Sequence, residues 1–175
     1  MPCVYEGSLI NLEGMKTRNV YVASDHAGFD LKSYILNQWA QGYVGPSIHW
    51  KFVDLGPTTD ARVDYPDFAH AVCAQVLANK EQNSRGILIC GSGQGMAISA
   101  NRHPGIRAAL VWNEESTILS RSHNAANVLC VGARLIERDL IKMILPAFFN
   151  TEFEGGRHLG RIQKIEPIAR PPAKE

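Results

Sequence analysis

The stretch Gly86-Ile-Leu-Ile-Cys-Gly-Ser-Gly-Gln-Gly95 decides the fold of this 175-residue chain. Its first half is a continuous apolar run, which is typical of a parallel strand covered on both faces. A glycine-rich turn follows, and the next residues read as a helix to about Asn101. A strand, a turn and a helix in this order begin a β-α-β unit, so the stretch predicts an α/β protein.

Similar units flank this stretch on both sides. Strands are predicted at 19–24, 51–55, 86–90, 107–112 and 128–132, with helices at 27–40, about 64–77, up to 101, 114–122 and 137–150. Right-handed crossovers between these strands predict a Rossmann-like, doubly wound parallel sheet of about five strands with helices on both faces. For this fold class we expect the strand order 2-1-3-4-5, with the strands numbered along the chain.

Composition narrows the possible classes of protein. Hydrophobic residues make up 45% of the chain and charged residues 20%, as in ordinary globular domains. The net charge of +1 gives no general attraction to nucleic acid or to an anionic membrane. No apolar run is long enough to span a membrane, and the first 18 residues lack the pattern of a signal peptide. We therefore expect a cytoplasmic protein that binds neither partner.

The even number of four cysteines would permit two disulfides, but three of them lie in apolar segments, so we predict buried free thiols in a reducing cytosol. No C-x-x-C or paired histidine spacing indicates a zinc site. Cys3, Cys73 and Cys130 have no reactive setting and are interpreted as structural. Cys90 ends a buried strand just before a helix, where a thiolate is stabilised and can act as a general base. The alternative is an inert, buried small side chain.

Two polar clusters follow neighbouring strands in the predicted sheet, so we expect them to line one crevice. The first is Ser24-Asp25-His26, where Asp25 can be either a functional group or a simple helix cap. The second is the glycine turn, whose backbone N–H groups can converge on an anion. A turn that needs glycine only for tight packing is the alternative.

Other candidate residues are basic. Arg157, His158 and Arg161 form a local basic cluster. Arg157 and Arg161 stand one helical turn apart and could bind one phosphate together, although charges near a terminus are often only solvated. His123 near a helix end and Arg134 after the fifth strand have surface roles as alternatives. The remaining histidines show no pairing and are interpreted as structural: His49, His70 and His103.

Six ordered motifs resemble the ribose-5-phosphate isomerase B family, over about residues 19–169. They are Val22-Ala-Ser-Asp-His-Ala-Gly-Phe29, Asp64-Tyr-Pro66, residues 86–95, Ala100-Asn101 with Gly105-Ile-Arg-Ala108, Leu119-Ser-Arg-Ser-His-Asn124 and Glu154-Gly-Gly-Arg-His158. Isomerases of galactose 6-phosphate and allose 6-phosphate belong to the same wider family. The resemblance divides the chain into an extension of unassigned role (1–18), an isomerase domain (19–150) and a partly frayed phosphate-binding or oligomer tail (151–175).

The resemblance implies an aldose–ketose isomerase that interconverts ribose 5-phosphate and ribulose 5-phosphate in the non-oxidative pentose phosphate pathway, without metal or cofactor. Cys90 would take the C2 proton, Ser92 would help hold the enediolate, and His123 with Asp25 would open the sugar ring. Some relatives use a glutamate at the position that is Met96 here, which favours the cysteine. The implied substrate-binding residues are His26, Tyr65, Gly91, Gly93, Gln94, Gly95, Asn124, Arg134, Arg157 and Arg161.

The predicted helix after strand four carries His123 away from Cys90. A helix of nine residues is about 13 Å long, which leaves His123 and Asn124 near the opposite edge of the sheet. We therefore expect a homodimer, or a dimer of dimers, whose sites are shared between subunits.

Two alternative functions have different tests. The same reaction on a hexose 6-phosphate would be identified by comparing turnover of the candidate sugars. A non-enzymatic nucleotide-binding module is the remote alternative, because the glycine spacing is G-x-G-x-G and not G-x-G-x-x-G.

Overall fold

The computed structural model describes residues 14–40 and 42–165, and of Val44 the backbone only. Its sheet has the strand order β2-β3-β1-β4-β6-β5, with β2 antiparallel to β3 and the other neighbours parallel. The strands are β1 (Lys16–Ser24), β2 (Tyr43–Val44), β3 (Ile48–Asp54), β4 (Arg85–Cys90), β5 (Ala108–Leu110) and β6 (Val128–Gly132). The predicted doubly wound α/β fold is confirmed.

Helices connect the strands at the predicted places. They are α1 (Phe29–Gln38), α2 (Tyr65–Ala78), α3 (Gln94–Ala100), α4 (Glu114–Asn124), α5 (Ile141–Asn150) and α6 (Arg157–Ile162), with short 3-10 turns at His26–Gly28, Lys80–Gln82 and Arg138–Leu140. Local signals fix their starts: Pro66 lies in the first turn of α2, and Asn113 forms a capping box at α4. Within the described ranges, no helix has the length and apolar character needed to cross a membrane.

The predicted strand order is wrong for the last two parallel strands. β6 lies between β4 and β5, so the order of the five predicted strands is 2-1-3-5-4. All five residues of β6 are buried, whereas β5 has three residues and all are half-buried. A fully apolar strand is stable in the sheet interior and a short one at its edge, which accounts for the exchange.

The sheet has a separate hydrophobic core on each face. On one face, α1 and α5 pack against the strands through Ile35, Ile144 and Phe148. On the other face, α2 and α3 pack through Val72 and Met96. The Cys90 side chain belongs to the second face, beside α2 and α3.

Both predicted terminal segments contain regular structure. β1 begins at Lys16, so part of the predicted extension belongs to the sheet. The tail contains α6, which buries His158 and Ile162, whereas fraying is expected only for its Pro-rich end. The rest of the extension up to residue 13, and residues 166–175, lie outside the described residues.

Candidate active site

Cys90 lies at the carboxyl end of β4 and is 5% exposed. The backbone N–H of Gly93 donates a hydrogen bond to its Sγ atom, at 3.1 Å. Such a donor stabilises a negative sulfur atom. As predicted, Cys73, Cys90 and Cys130 are free and buried, while Cys3 lies outside the described residues.

The other two described cysteines are in settings that oppose ionisation. Burial raises the pKa of Cys73 to about 12. Burial also raises the pKa of Cys130, helped by the nearby Cys73 and Cys90. Both residues therefore fit the predicted structural role.

Gly93 gives the turn after Cys90 its shape. Its φ of 76° lies in the left-handed region, and a Cβ atom there would be 2.5 Å from Leu110 Cδ1 and 2.8 Å from the carbonyl carbon of Val131. Only glycine fits this position without displacing β5 or β6. The tight packing expected as the alternative is therefore real, and the same constraint aims the Gly93 N–H at the sulfur.

Tyr65 and Arg134 border the glycine turn from two sides. A Cβ atom on Gly95 would lie 2.7 Å from the Tyr65 ring, so the ring covers this glycine. The Arg134 backbone N–H donates to the Gly91 carbonyl oxygen at 3.1 Å, and its guanidinium group lies against Gly91. Ser92 Oγ accepts a hydrogen bond of 3.4 Å from the Gln94 N–H. The structure thus brings together eight predicted residues of the turn and its surroundings, namely Cys90, Gly91, Ser92, Gly93, Gln94, Gly95, Tyr65 and Arg134.

The second polar cluster reaches the same edge of the sheet. The Asp25 N–H donates to the Ile89 carbonyl oxygen at 3.0 Å, which joins the end of β1 to the end of β4. Asp25 Oδ1 accepts from the Gly28 N–H at 2.9 Å, so its role as a cap is confirmed. The exposed His26 side chain has Nδ1 3.3 Å from the Val63 carbonyl oxygen.

His123 and Asn124 end helix α4, and His123 belongs to a cluster with Glu154 and His158. The imidazole rings of His123 and His158 stack with centroids 4.2 Å apart. Glu154 Oε2 lies 3.9 Å from His123 Nε2 and 3.6 Å from His158 Nε2. The sequence predicted His158 as part of a basic cluster with Arg157 and Arg161, and it gave Glu154 no role, although Glu154 lies in the Glu154-Gly-Gly-Arg-His158 motif that carried the resemblance.

Arg157 and Arg161 lie in α6, one helical turn apart as expected. Arg157 Nε is 3.3 Å from His158 Nε2 and donates to it. Burial lowers the pKa of His158, and the charges of His123 and Arg157 lower it further. The lowered pKa favours the uncharged form of the His158 ring at neutral pH.

The two groups of predicted residues lie at opposite edges of the sheet. Cys90 pairs with Gly132, the last residue of β6. His123 precedes Val128, the first residue of β6, by five residues. Arg107, just before β5, donates from Nε to the Asn124 carbonyl oxygen at 2.9 Å, which places the end of α4 at the amino ends of the strands. Because the four residue steps of β6 cover about 13 Å, His123 lies far from Cys90 of the same chain. The predicted separation is confirmed.

A metal ion is poorly accommodated by the most suitable ligand set among the described residues. His123, Glu154 and His158 offer ligand atoms within 4.8 Å of one another. The two imidazole planes are inclined by 8° only. An ion in the plane of one ring would lie outside the plane of the other, whereas metal-bound histidines direct their nitrogen lone pairs at the ion.

The interpretation of His70 and His103 as unpaired is wrong. His70 Nδ1 lies 2.7 Å from His103 Nε2, because α2 packs against α3 and the turn after α3. Burial lowers the pKa of His103, and His70 lowers it further. The spacing of the two residues along the chain gave no signal of this contact.

Comparisons with known proteins identify the family of this chain. The family described as Ribose/Galactose Isomerase matches residues 20–165. The probable ribose-5-phosphate isomerase B of Mycoplasma pneumoniae is 42% identical over 147 residues, which are 83% of this chain and 91% of that protein. Ribose-5-phosphate isomerase B of Escherichia coli is 37% identical over 151 residues, 86% of this chain and 96% of that one.

A solved structure gives the same result. The crystal structure of ribose-5-phosphate isomerase B from Mycoplasma genitalium with bound ribulose-5-phosphate has a TM-score of 0.75 and 42% identity, covering 86% of this chain and 95% of that chain. The extent of these matches establishes the class of the protein as well as its fold. The chain is therefore an isomerase that belongs to the ribose/galactose isomerase family.

Proposed function

We propose that the protein interconverts ribose 5-phosphate and ribulose 5-phosphate through a cis-enediolate, with Cys90 as the general base. The observation that carries this proposal is the hydrogen bond from the Gly93 N–H to Cys90 Sγ, in a glycine turn at the carboxyl edge of the sheet. The named activity of relatives such as the Escherichia coli protein supports the same substrate. The reaction belongs to the non-oxidative pentose phosphate pathway, which we place in the cytoplasm.

The chemistry follows from a sulfur base beside the backbone N–H donor of Gly93. Cys90 removes the C2 proton, the C2–H electron pair forms a C1=C2 double bond, and the carbonyl pair moves onto O1. The sulfur then returns the proton to C1, while a proton passes from O2 to O1, and the ketose results. The developing oxyanion is held by the turn from Gly91 to Gly95, which includes Ser92 and Gln94.

Ring opening and phosphate binding use the residues at both edges of the sheet. His123 moves the proton that opens the furanose, with Asp25 assisting and Asn124 binding a substrate oxygen. Tyr65 lines the pocket over Gly95. The phosphate is bound by four basic side chains, namely His26, Arg134, Arg157 and Arg161.

The separation of Cys90 from His123 supports shared sites in a homodimer or a dimer of dimers. In a two-fold symmetric pair, each subunit would present its carboxyl sheet edge to the α4 and α6 ends of the other. Both active sites are then complete, and each contains residues from both chains.

The direct test measures ribose 5-phosphate isomerisation by wild type, Cys90→Ala and the control Cys73→Ala. We expect Cys90→Ala to lose at least about 100-fold in kcat while keeping its circular dichroism spectrum, because the base is absent. Cys73→Ala should retain wild-type turnover, because this thiol is buried between α2 and α3. Near-normal activity of Cys90→Ala would exclude Cys90 as the base.

A hexose 6-phosphate is the second candidate substrate, since the family description includes galactose isomerases. The reacting carbons of the two sugars are alike, so the chain length of the sugar would decide. Comparing kcat/KM for ribose 5-phosphate, allose 6-phosphate and galactose 6-phosphate distinguishes them. The nucleotide-binding module is disfavoured, because the chain belongs to a family of isomerases.

A further inference from the structure

We propose a second anion-binding site, for a small molecule with at least two negative phosphate charges, at the amino edge of the sheet. Two cavities of about 490 and 390 Å³ there share three arginines, which we call the arginine cluster: Arg18, Arg85 and Arg121. Arg18 lies near the start of β1, and Arg85 is the first residue of β4. The cluster is thus at the opposite edge of the sheet from Cys90.

The positive charges of the cluster are not neutralised by the described part of the chain. No carboxylate of residues 14–40 and 42–165 forms an ion pair with any of the three guanidinium groups. Burial lowers the pKa of Arg85, which is 8% exposed, and the charges of Arg121 and Arg18 lower it further. Burial, with Arg107 and Arg18, lowers the pKa of Arg121 to about 10. An anion between these groups would relieve their mutual repulsion.

Aromatic rings hold the guanidinium groups in place. Arg85 Cζ lies 4.5 Å from the centre of the Trp50 ring, and Arg18 Cζ lies 5.5 Å from the same ring. Arg121 Cζ lies 5.8 Å from the Phe148 ring. Guanidinium groups fixed in this way lose little conformational freedom when they bind a ligand.

Most donors of the cluster have no acceptor among the described residues. Arg85 donates to the Phe148 carbonyl oxygen, and Arg121 donates to the carbonyl oxygens of Thr151 and Ala126. Each guanidinium group has five N–H donors, so three hydrogen bonds use a small part of the set.

Two buried atoms give an independent indication of a ligand. Ser84 is 4% exposed and lines the larger cavity, and its Oγ atom has no hydrogen-bond partner within residues 14–40 and 42–165. Arg18 Nε, which is also buried, has no partner in these ranges either. A buried donor without an acceptor costs free energy, which an oxygen-rich ligand would recover.

The chemistry of the cavity selects the ligand class. The cavity has an excess of hydrogen-bond donors and little competing negative charge, so it suits phosphate oxygens, which act as hydrogen-bond acceptors. Planar guanidinium groups bind these oxygens with two parallel hydrogen bonds. The larger cavity has the volume of an ordinary small-molecule site. A phosphorylated metabolite therefore fits better than a neutral sugar.

The test titrates inorganic pyrophosphate into the full-length protein by calorimetry at constant ionic strength. The background is Arg157→Ala/Arg161→Ala, which removes two of the four basic side chains of the proposed substrate phosphate site and is expected to abolish pyrophosphate binding there. We expect this double variant to bind one pyrophosphate per chain, and adding Arg18→Gln to weaken that binding at least about tenfold. Ser84→Ala should weaken it severalfold and provides a second variant if the first does not fold.

The matched control is Arg102→Gln, which removes an exposed arginine of the α3 C-terminal turn and should leave pyrophosphate affinity unchanged. The proposal would be overturned if the double variant showed no saturable pyrophosphate binding. It would also be overturned if Arg18→Gln left the pyrophosphate affinity unchanged. If Arg18→Gln does not fold, an unchanged affinity in Ser84→Ala would overturn it instead. Wild type is expected to bind two pyrophosphates per chain. If wild type and the double variant each bound one pyrophosphate, and Arg18→Gln abolished that binding, the proposed substrate phosphate site would be contradicted. The site at the arginine cluster would still be supported.

Discussion

A mixture of two inactive variants should regain activity if the active site is shared between subunits. The variants are Cys90→Ala and His123→Asn, each expected to be nearly inactive in ribose 5-phosphate isomerisation. Cys90 is at the Gly132 end of β6, and His123 is beyond its Val128 end. The strand between them is about 13 Å long, which exceeds the contact distance of groups that act on one sugar.

The expected size of the recovery follows from two-fold symmetry. Random exchange of equal amounts gives about half mixed dimers, and each mixed dimer has one site with both residues intact. About one quarter of all sites are then active. The assay follows ribulose 5-phosphate formation before and after subunit exchange, which is induced by mild denaturation and refolding.

A reciprocal control uses wild type mixed with the double variant Cys90→Ala/His123→Asn. Shared sites leave the mixed dimers inactive, so about one quarter of the sites remain active. Sites contained within one chain would leave about one half active, and the two single variants would show no recovery. That pair of results would refute the geometric reasoning.

Three other predictions concern single residues. Arg157→Ala should raise KM for ribose 5-phosphate more than it lowers kcat, because the phosphate is bound equally in the ground state and the transition state. Steady-state kinetics would instead show a larger effect on kcat if Arg157 took part in the chemistry. Gly93→Ala should lower the free energy of unfolding by about 2 kcal/mol or more, because the φ of Gly93 is 76° and the new Cβ atom would meet Leu110 and Val131. The control is Gly160→Ala, where no atom of the described residues beyond the chain neighbours and the local helix backbone lies within 4 Å of the new Cβ atom. Urea denaturation should show no loss of stability in this control. Because the pKa of His103 is lowered in the folded protein, the unfolded chain binds a proton at this residue more readily. Stability should therefore fall as the pH drops below about 6.5. Thermal melts at several pH values should show a weaker pH dependence for His103→Gln.

The sequence predicted the elements of the fold and the position of Cys90 between a buried strand and a glycine turn, because both are local properties. The apolar run Gly86-Ile-Leu-Ile-Cys90 specifies a buried strand regardless of its neighbours. The glycines after it permit a turn that no other residue type can form, and Gly93 takes the left-handed conformation there. A cysteine between such a strand and such a turn is identifiable from its position alone.

Contacts between distant segments were decided by tertiary structure. Four features of the structure join segments that share no local sequence pattern. They are the place of β6 beside β4, the two-residue antiparallel strand β2, the His70–His103 pair and the stacking of His123 on His158. Strand order depends on which strands bury most apolar surface together, and this is a property of the whole sheet. The arginine cluster was missed for the same reason, because Arg18, Arg85 and Arg121 lie in three segments that meet only once the sheet has formed.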